Sequence, residues 1–201
     1  MEITKPFSGI RAVFLPPGLS SHGGTCDFAT NTCLAKCAAI NYINVIGIDF
    51  KKSVLNYLTE KSVGEIVKRI REETEALYWF ASGDCPIRLQ DKFSEIVLRL
   101  SAHGVNQNGF TRNKKFWNNT RDATNIALTI ENPKENDGKG FLMAVPNYET
   151  GAVQVYFDRR LALECWGDCR YRCDKCISEK KGCFKYNQSP DREADKSAQV
   201  S

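Results

Sequence analysis

The chain has no apolar run approaching the roughly 20 residues that a membrane-spanning helix needs. Its first residues, Met1 to Ser8, lack the apolar segment of a secretion signal. The expectation is a cytoplasmic protein with no membrane partner, in a compartment that keeps thiols reduced. Histidine is nearly missing, limited to His22 and His103, and there is no internal repeat and no long linker. These absences set aside membrane, secreted and repeat architectures. They leave 201 residues, 42% of them hydrophobic, which suffice for one globular domain with its own core and a small appended lobe.

What the chain does have is cysteine. Nine are present: Cys26, Cys33 and Cys37 near the start, Cys165, Cys169, Cys173, Cys176 and Cys183 near the end, and Cys85 between the groups. An odd number at such close spacing, in a chain without a secretion signal, points to metal or iron-sulfur ligation instead of a disulfide framework. The formal charge of +4 does not count bound thiolates. From Arg159 to Lys185 eight basic residues stand against four acidic ones, an excess that can neutralise a thiolate cluster locally. Nucleic acid is therefore a partner that the charge allows without requiring it.

The apolar pattern alternates between strands and helices. Arg11 to Leu15 reads as a strand halted by Pro16-Pro17-Gly18, and Leu34 to Asn44 reads as a helix that sets Cys33 and Cys37 one turn apart on one face. Ser62 with Glu65 makes a capping box ahead of Val63, Ile66, Val67 and Ile70. Leu77 to Phe80 is strand-like, and Phe93, Ile96, Val97 and Leu100 mark a further helix with Gly104 at its C-cap. Strands follow near 108–110, 126–130, 141–145 and 152–157. The fold expected is α/β: a partial (β/α) barrel of about six mainly parallel strands over residues 1–160, with right-handed crossovers. A cysteine-rich C-terminal lobe is expected over 161–186 and a disordered tail over 187–201.

The first group, Cys26-x6-Cys33-x3-Cys37, follows the first expected strand. Three thiolates are one short of a closed four-iron cluster, so a 4Fe-4S cluster held by them keeps one iron open. A structural zinc site completed by His22 or a remote cysteine is the alternative on spacing alone. Several expected strands end in polar residues: Ser82-Gly83-Asp84, Thr111-Arg112, Glu131-Asn132 and Asn147. In parallel β/α folds the C-terminal strand ends carry the chemistry, so these residues describe a polar mouth around the cysteine loop.

Thr25-Cys26-Asp27-Phe28-Ala29-Thr30 with Cys33 and Cys37, then Trp79-Phe80-Ala81-Ser82-Gly83-Asp84 and Gly109-Phe110-Thr111-Arg112-Asn113, resembles the phage "gene product 88" family. That family looks like a shortened relative of radical S-adenosylmethionine (SAM) enzymes, and the likeness covers most of residues 8 to 185. The resemblance implies that Cys26, Cys33 and Cys37 ligate a 4Fe-4S cluster whose open iron chelates SAM. It implies that Ser82, Gly83 and Asp84 lie where the SAM amino group is contacted, with Thr111 and Glu131 as further cofactor-binding candidates. The usual superfamily spacing, Cys-x3-Cys-x2-Cys, is absent, a departure that bears on SAM binding more than on cluster binding.

The C-terminal group supplies five thiols, of which four close either a zinc site or a second 4Fe-4S cluster. The resemblance favours iron-sulfur there, with zinc as the alternative. The surplus thiol, or Cys85, is a candidate cap for the first cluster; a small buried apolar role for Cys85 is the preferred reading. Trp166, Tyr171, Phe184 and Tyr186 interleave with basic residues, which suits base stacking or, preferred here, shielding of a cluster. The leading expectation is an iron-sulfur oxidoreductase acting on a small-molecule or macromolecular substrate with an external electron donor. The alternatives are a non-enzymatic iron-sulfur or zinc protein that binds nucleic acid, and an electron carrier.

Overall fold

The computed structural model describes residues 2–7, 10–41, 46–132, 142–149, 153–157 and 160–165. Strand β1 (Lys5–Phe7) pairs antiparallel with β2 (Ile10–Phe14). From β2 onward the neighbours are parallel: β3 (Ala76–Ser82), β4 (Asn106–Thr111), β5 (Asn125–Thr129) and β6 (Leu142–Pro146). β7 (Val153–Phe157) and β8 (Arg160–Cys165) complete the sheet as antiparallel neighbours. The eight strands lie in the order in which the chain makes them. The molecule is thus mixed α/β around a largely parallel sheet, and among the described residues no ladder joins β1 to β8.

Six α-helices are described: α1 (Asn31–Ala35), α2 (Ala38–Asn41), α3 (Ile48–Glu60), α4 (Val63–Glu73), α5 (Gln90–Ala102) and α6 (Lys114–Thr120). The capping box forms as expected, with Ser62 Oγ accepting from the Glu65 amide and Glu65 accepting from the Ser62 amide. Gly104 follows the last turn of α5 with φ +78° and donates its amide to Ser101, a left-handed stop that glycine adopts without strain. The expected helix over 34–44 is instead two short pieces, α1 and α2, interrupted at Lys36 and Cys37. Cys33 and Cys37 therefore do not share one helical face. Four elements were not expected: β1, β8, α3 and α6. Residues 166–201, with Cys169, Cys173, Cys176, Cys183 and the expected tail, lie outside the described residues.

Helices α3 to α6 bury one stripe each into a single apolar cluster. Val54, Leu55 and Leu58 come from α3, Ile66 and Ile70 from α4, Phe93, Ile96 and Leu100 from α5, and Phe116 from α6. They meet Val13, Leu15, Leu77, Trp79 and Ile126 from the sheet. Burying a large aliphatic or aromatic side chain contributes roughly 1.5–3 kcal/mol, so this cluster dominates the fold's stability.

A bulge in β3 shapes the far end of the sheet. Phe80 has φ +57°, the left-handed region that bulky residues rarely enter. Its neighbours break the in-out alternation, so that Trp79 and Phe80 are both buried. The β2–β3 register slips at the same place, with Ala12 opposite Tyr78 but Phe14 opposite Ser82. The ring of Phe80 stacks on Phe93 at 6.1 Å and meets Phe116 edge-on at 5.6 Å, which offsets the backbone strain. Directly across, Gly109 has φ +156°, and a Cβ there would lie 2.5 Å from the Trp79 carbonyl oxygen. Gly109→Ala is expected to destabilise the chain by about 1–3 kcal/mol, read as a lower urea midpoint. An unchanged midpoint would mean that the bulge relaxes freely.

Candidate functional site

Because β2 to β6 run parallel, the residues just after each strand gather at one edge of the sheet. The cysteine loop leaves β2 at this edge and is tied down by hydrogen bonds from its own backbone. The Cys26 amide donates to Gly18 O at 2.8 Å and the Gly24 amide to Leu19 O at 2.9 Å. Thr25, fully buried, donates its hydroxyl to Pro16 O at 2.9 Å and accepts from the Asp84 amide at 3.1 Å. Asp27 accepts from the Ile87 amide at 2.8 Å, so the loop is pinned at two points to the turn after β3. Gly83 makes that approach possible. It has φ +73°, and a Cβ would stand 2.5 Å from Thr25 Oγ1 and 2.8 Å from Leu15 Cβ.

Asp84 is buried at the centre of this edge. Its Oδ1 accepts from Thr111 Oγ1 at 2.6 Å and from the Cys85 amide at 2.6 Å; its Oδ2 accepts from the Arg112 amide at 2.8 Å. Burial pushes its carboxyl up from 3.8 to about 6, against the pull of those three donors and of the Arg112 charge. Cys26 lies in the same neighbourhood: burial first, then the Asp84 carboxylate, push its thiol up to about 12, and Cys37 and Cys33 act on it in the same direction. Without a metal that thiol holds its proton, and a soft metal that binds it must displace the proton.

A second network closes over Cys33. Thr30 caps α1 by accepting from the Cys33 amide at 3.1 Å and donates its hydroxyl to Glu131 Oε1 at 2.8 Å. The same Glu131 oxygen accepts from Tyr148 at 3.0 Å and pairs with Arg112 Nη1 at 2.8 Å, while Arg112 Nη2 donates to Tyr148 at 2.7 Å. Burial by itself would lower the Arg112 pKa, but Cys33, Tyr148 and Glu131 outweigh it and hold the guanidinium charged beside the Cys33 sulfur. The Tyr148 hydroxyl is pushed up to about 12, chiefly by burial, and stays a neutral donor.

The structure thus brings Cys26, Cys33, Cys37, Asp84 and Glu131 to one edge, with Gly83 and Thr111 as their supports. Thr111 does not face outward: it donates to Asp84 and accepts from the Asn113 amide at 3.1 Å. Ser82 likewise donates to Leu15 O at 2.8 Å and welds β3 to β2. Cys85 belongs to the apolar core and is fully buried, its thiol pushed far up by burial. That matches a small apolar role. Of the C-terminal group, Cys165 ends β8 opposite Val153, and its four companions lie outside the described residues. Sequence reasoning gave no role to Thr25, Thr30 or Tyr148, although Thr25 and Thr30 stand in the cysteine motif and Tyr148 follows the strand-end Asn147.

Among the described residues no three His, Cys, Asp or Glu side chains stand close enough to share one metal ion. Compared with known proteins, the chain matches no family model, no curated protein and no solved structure. Among the described residues no helix is long and apolar enough to cross a membrane.

The sign of the pH dependence follows from Asp84. Between about 4 and 6 the folded chain keeps a proton that the unfolded chain releases, so this group lowers stability as pH rises through that window, by up to about 3 kcal/mol. In the metal-free chain, Asp84→Asn is expected to flatten the decline in urea midpoint between pH 4 and 7. Parallel wild-type and variant profiles would show that Asp84 ionises like an exposed carboxylate.

Proposed function

We propose that the chain is an iron-sulfur protein in which Cys26, Cys33 and Cys37 hold a 4Fe-4S cluster with one iron open, used for redox or radical chemistry on a substrate. The observation that carries this reading is the convergence of three thiols on the C-terminal edge of the parallel strands, with a buried carboxylate and a half-buried guanidinium at their side. Three soft donors suit an iron-sulfur cluster or zinc. Two thiolates on a single tetrahedral zinc stand about 3.8 Å apart, as Zn–S bonds of about 2.3 Å require. A cubane instead takes each thiolate on a separate iron, and three thiolates leave its fourth iron open. A singly wound strand order is also what a partial (β/α) barrel needs, and we infer that curvature for β2 to β6.

Held by Cys26, Cys33 and Cys37, a reduced cluster would supply the electron for cleaving the sulfonium of bound SAM. The protein's own residues hold the surroundings. Arg112 and Glu131 brace Cys33, Thr25 fixes Cys26 against β3, and Asp84 Oδ2, which takes one donor here, has acceptor capacity for a ligand ammonium. The C-terminal cysteines would hold a second 4Fe-4S cluster or a zinc, an external donor would supply electrons, and nucleic acid is the partner of the rival non-enzymatic reading.

Protein purified without oxygen is expected to be brown, with about four irons from the N-terminal cysteines and about eight if both groups hold cubanes. Cys33→Ala should remove the N-terminal share and leave the rest. Addition of SAM should alter the electron paramagnetic resonance spectrum of the reduced cluster, and Asp84→Asn should weaken that change several-fold with iron retained. Zinc in place of iron would sink the reading, and a spectrum indifferent to SAM would remove its radical SAM part.

A further inference from the structure

The cysteine loop is held unevenly along its length. Up to Asp27 it is fastened from several sides: the Cys26 amide donates to Gly18 O, Thr25 is fully buried against Pro16 O and the Asp84 amide, and Asp27 accepts from the Ile87 amide. Helix α1, which follows, has none of its five residues fully buried, and Asn31, Thr32, Ala35 and the C-cap Lys36 are exposed. On α2 the Ile40 side chain is exposed as well. A helix of five residues does not persist alone in water, and α1 has no apolar stripe sunk in the core to hold it. Its tie to the sheet is polar and sits at its N-cap: Thr30 Oγ1 accepts from the Cys33 amide at 3.1 Å and donates to Glu131 Oε1 at 2.8 Å, 101 positions further along the chain.

We propose that residues 30–41 form a flap, hinged between Asp27 and Thr30 and latched to the sheet by the Thr30–Glu131 hydrogen bond, whose opening melts α1 and carries Cys33 and Cys37 away from Cys26. The catch is set independently of the latch. The same Glu131 oxygen pairs with Arg112 Nη1 at 2.8 Å and accepts from Tyr148 at 3.0 Å, so it keeps its place when Thr30 lets go. The latch itself is exposed to solvent, where water replaces a hydrogen bond at small net cost, and so it opens and closes readily. Cys26 stays with the body of the fold, because its neighbours Thr25 and Asp27 are the pinned ones. Latched, the flap assembles the three thiols; unlatched, it parts them. This device goes beyond the reading of the cysteines as cluster ligands and requires no metal.

The test is amide hydrogen exchange and alkylation by N-ethylmaleimide, both read by mass spectrometry on the full-length chain, reduced and treated with chelator so that no metal ties the thiols together. Thr30→Asp keeps an acceptor for the Cys33 amide, as aspartate is a good N-cap, but it cannot donate to Glu131 and repels it. The α1 amides of Leu34 and Lys36, bonded to Thr30 O and Thr32 O, are expected to exchange about tenfold faster in this variant, and Cys33 to be alkylated faster by a similar factor. Cys26 should keep nearly its wild-type rate, and Cys85, fully buried, should stay unreactive. Thr30→Ser, which keeps the donor, should stay near wild type, and the α4 amides should keep their protection in both variants. Equal α1 and Cys33 rates in wild type and Thr30→Asp would overturn the proposal. A Thr30→Ser variant as fast as Thr30→Asp would overturn it by tracing the effect to packing, and faster exchange in α4 would do so by tracing it to global unfolding.

Discussion

The carboxylate of Asp84 is the constraint on which the site depends. It is a buried acid held by three donors from two segments: the Cys85 amide beside it, and the Thr111 hydroxyl and Arg112 amide at the end of β4. Its own amide goes to Thr25 in the cysteine loop. One residue thereby joins the loop after β2, the turn after β3 and the end of β4. Breaking a buried, multiply bonded carboxylate leaves several polar groups unpaired at once, which is why such groups fix geometry so firmly.

Charge is distributed unevenly over this edge. Glu131 takes three donors on one oxygen and neutralises Arg112, whereas Asp84 takes backbone and hydroxyl donors and keeps its influence on Cys26. Thr30 links the two halves, because the hydroxyl that caps α1 also reaches Glu131, across the sheet on the β5 side. The cysteine loop is therefore gripped from β3 at one end and from β5 at the other.

Much of the strand pattern was legible in the sequence, since alternation and terminating turns mark β2 to β7 within a residue or two. The capping box at Ser62 and the stop at Gly104 were legible for the same local reason. What escaped had a nonlocal cause. Helix α3 opens its buried stripe with a lysine, which hides the amphipathic period. Helix α6 is short and rich in polar residues, and it is set by Asn113, whose side chain caps Phe116 and bonds to the Cys85 carbonyl. The break between α1 and α2 cannot be read from helix propensity. At the candidate site, the residue types at strand ends pointed to one edge of the sheet, where the structure gathers them, but not to their hydrogen-bond partners. That Ser82 ties β3 to the end of β2 and Thr111 holds Asp84 depends on contacts between strands distant in sequence, which no local pattern carries.

The sequential strand order has a consequence for how the chain reaches this state. Each strand pairs with its neighbour in sequence, so most closures are short, and the exception is the crossover from β2 to β3, which spans Leu15 to Glu75. Loop-closure entropy rises with length, so this pairing is the least favourable of the parallel contacts to form first. All three N-terminal cysteines lie inside that crossover, and Thr25 finds Asp84 only once β3 has docked on β2. The cysteine edge is thus assembled by the longest closure in the sheet. Any ligand that bound this edge would stabilise that closure above all others and so couple its own binding to the completion of the sheet.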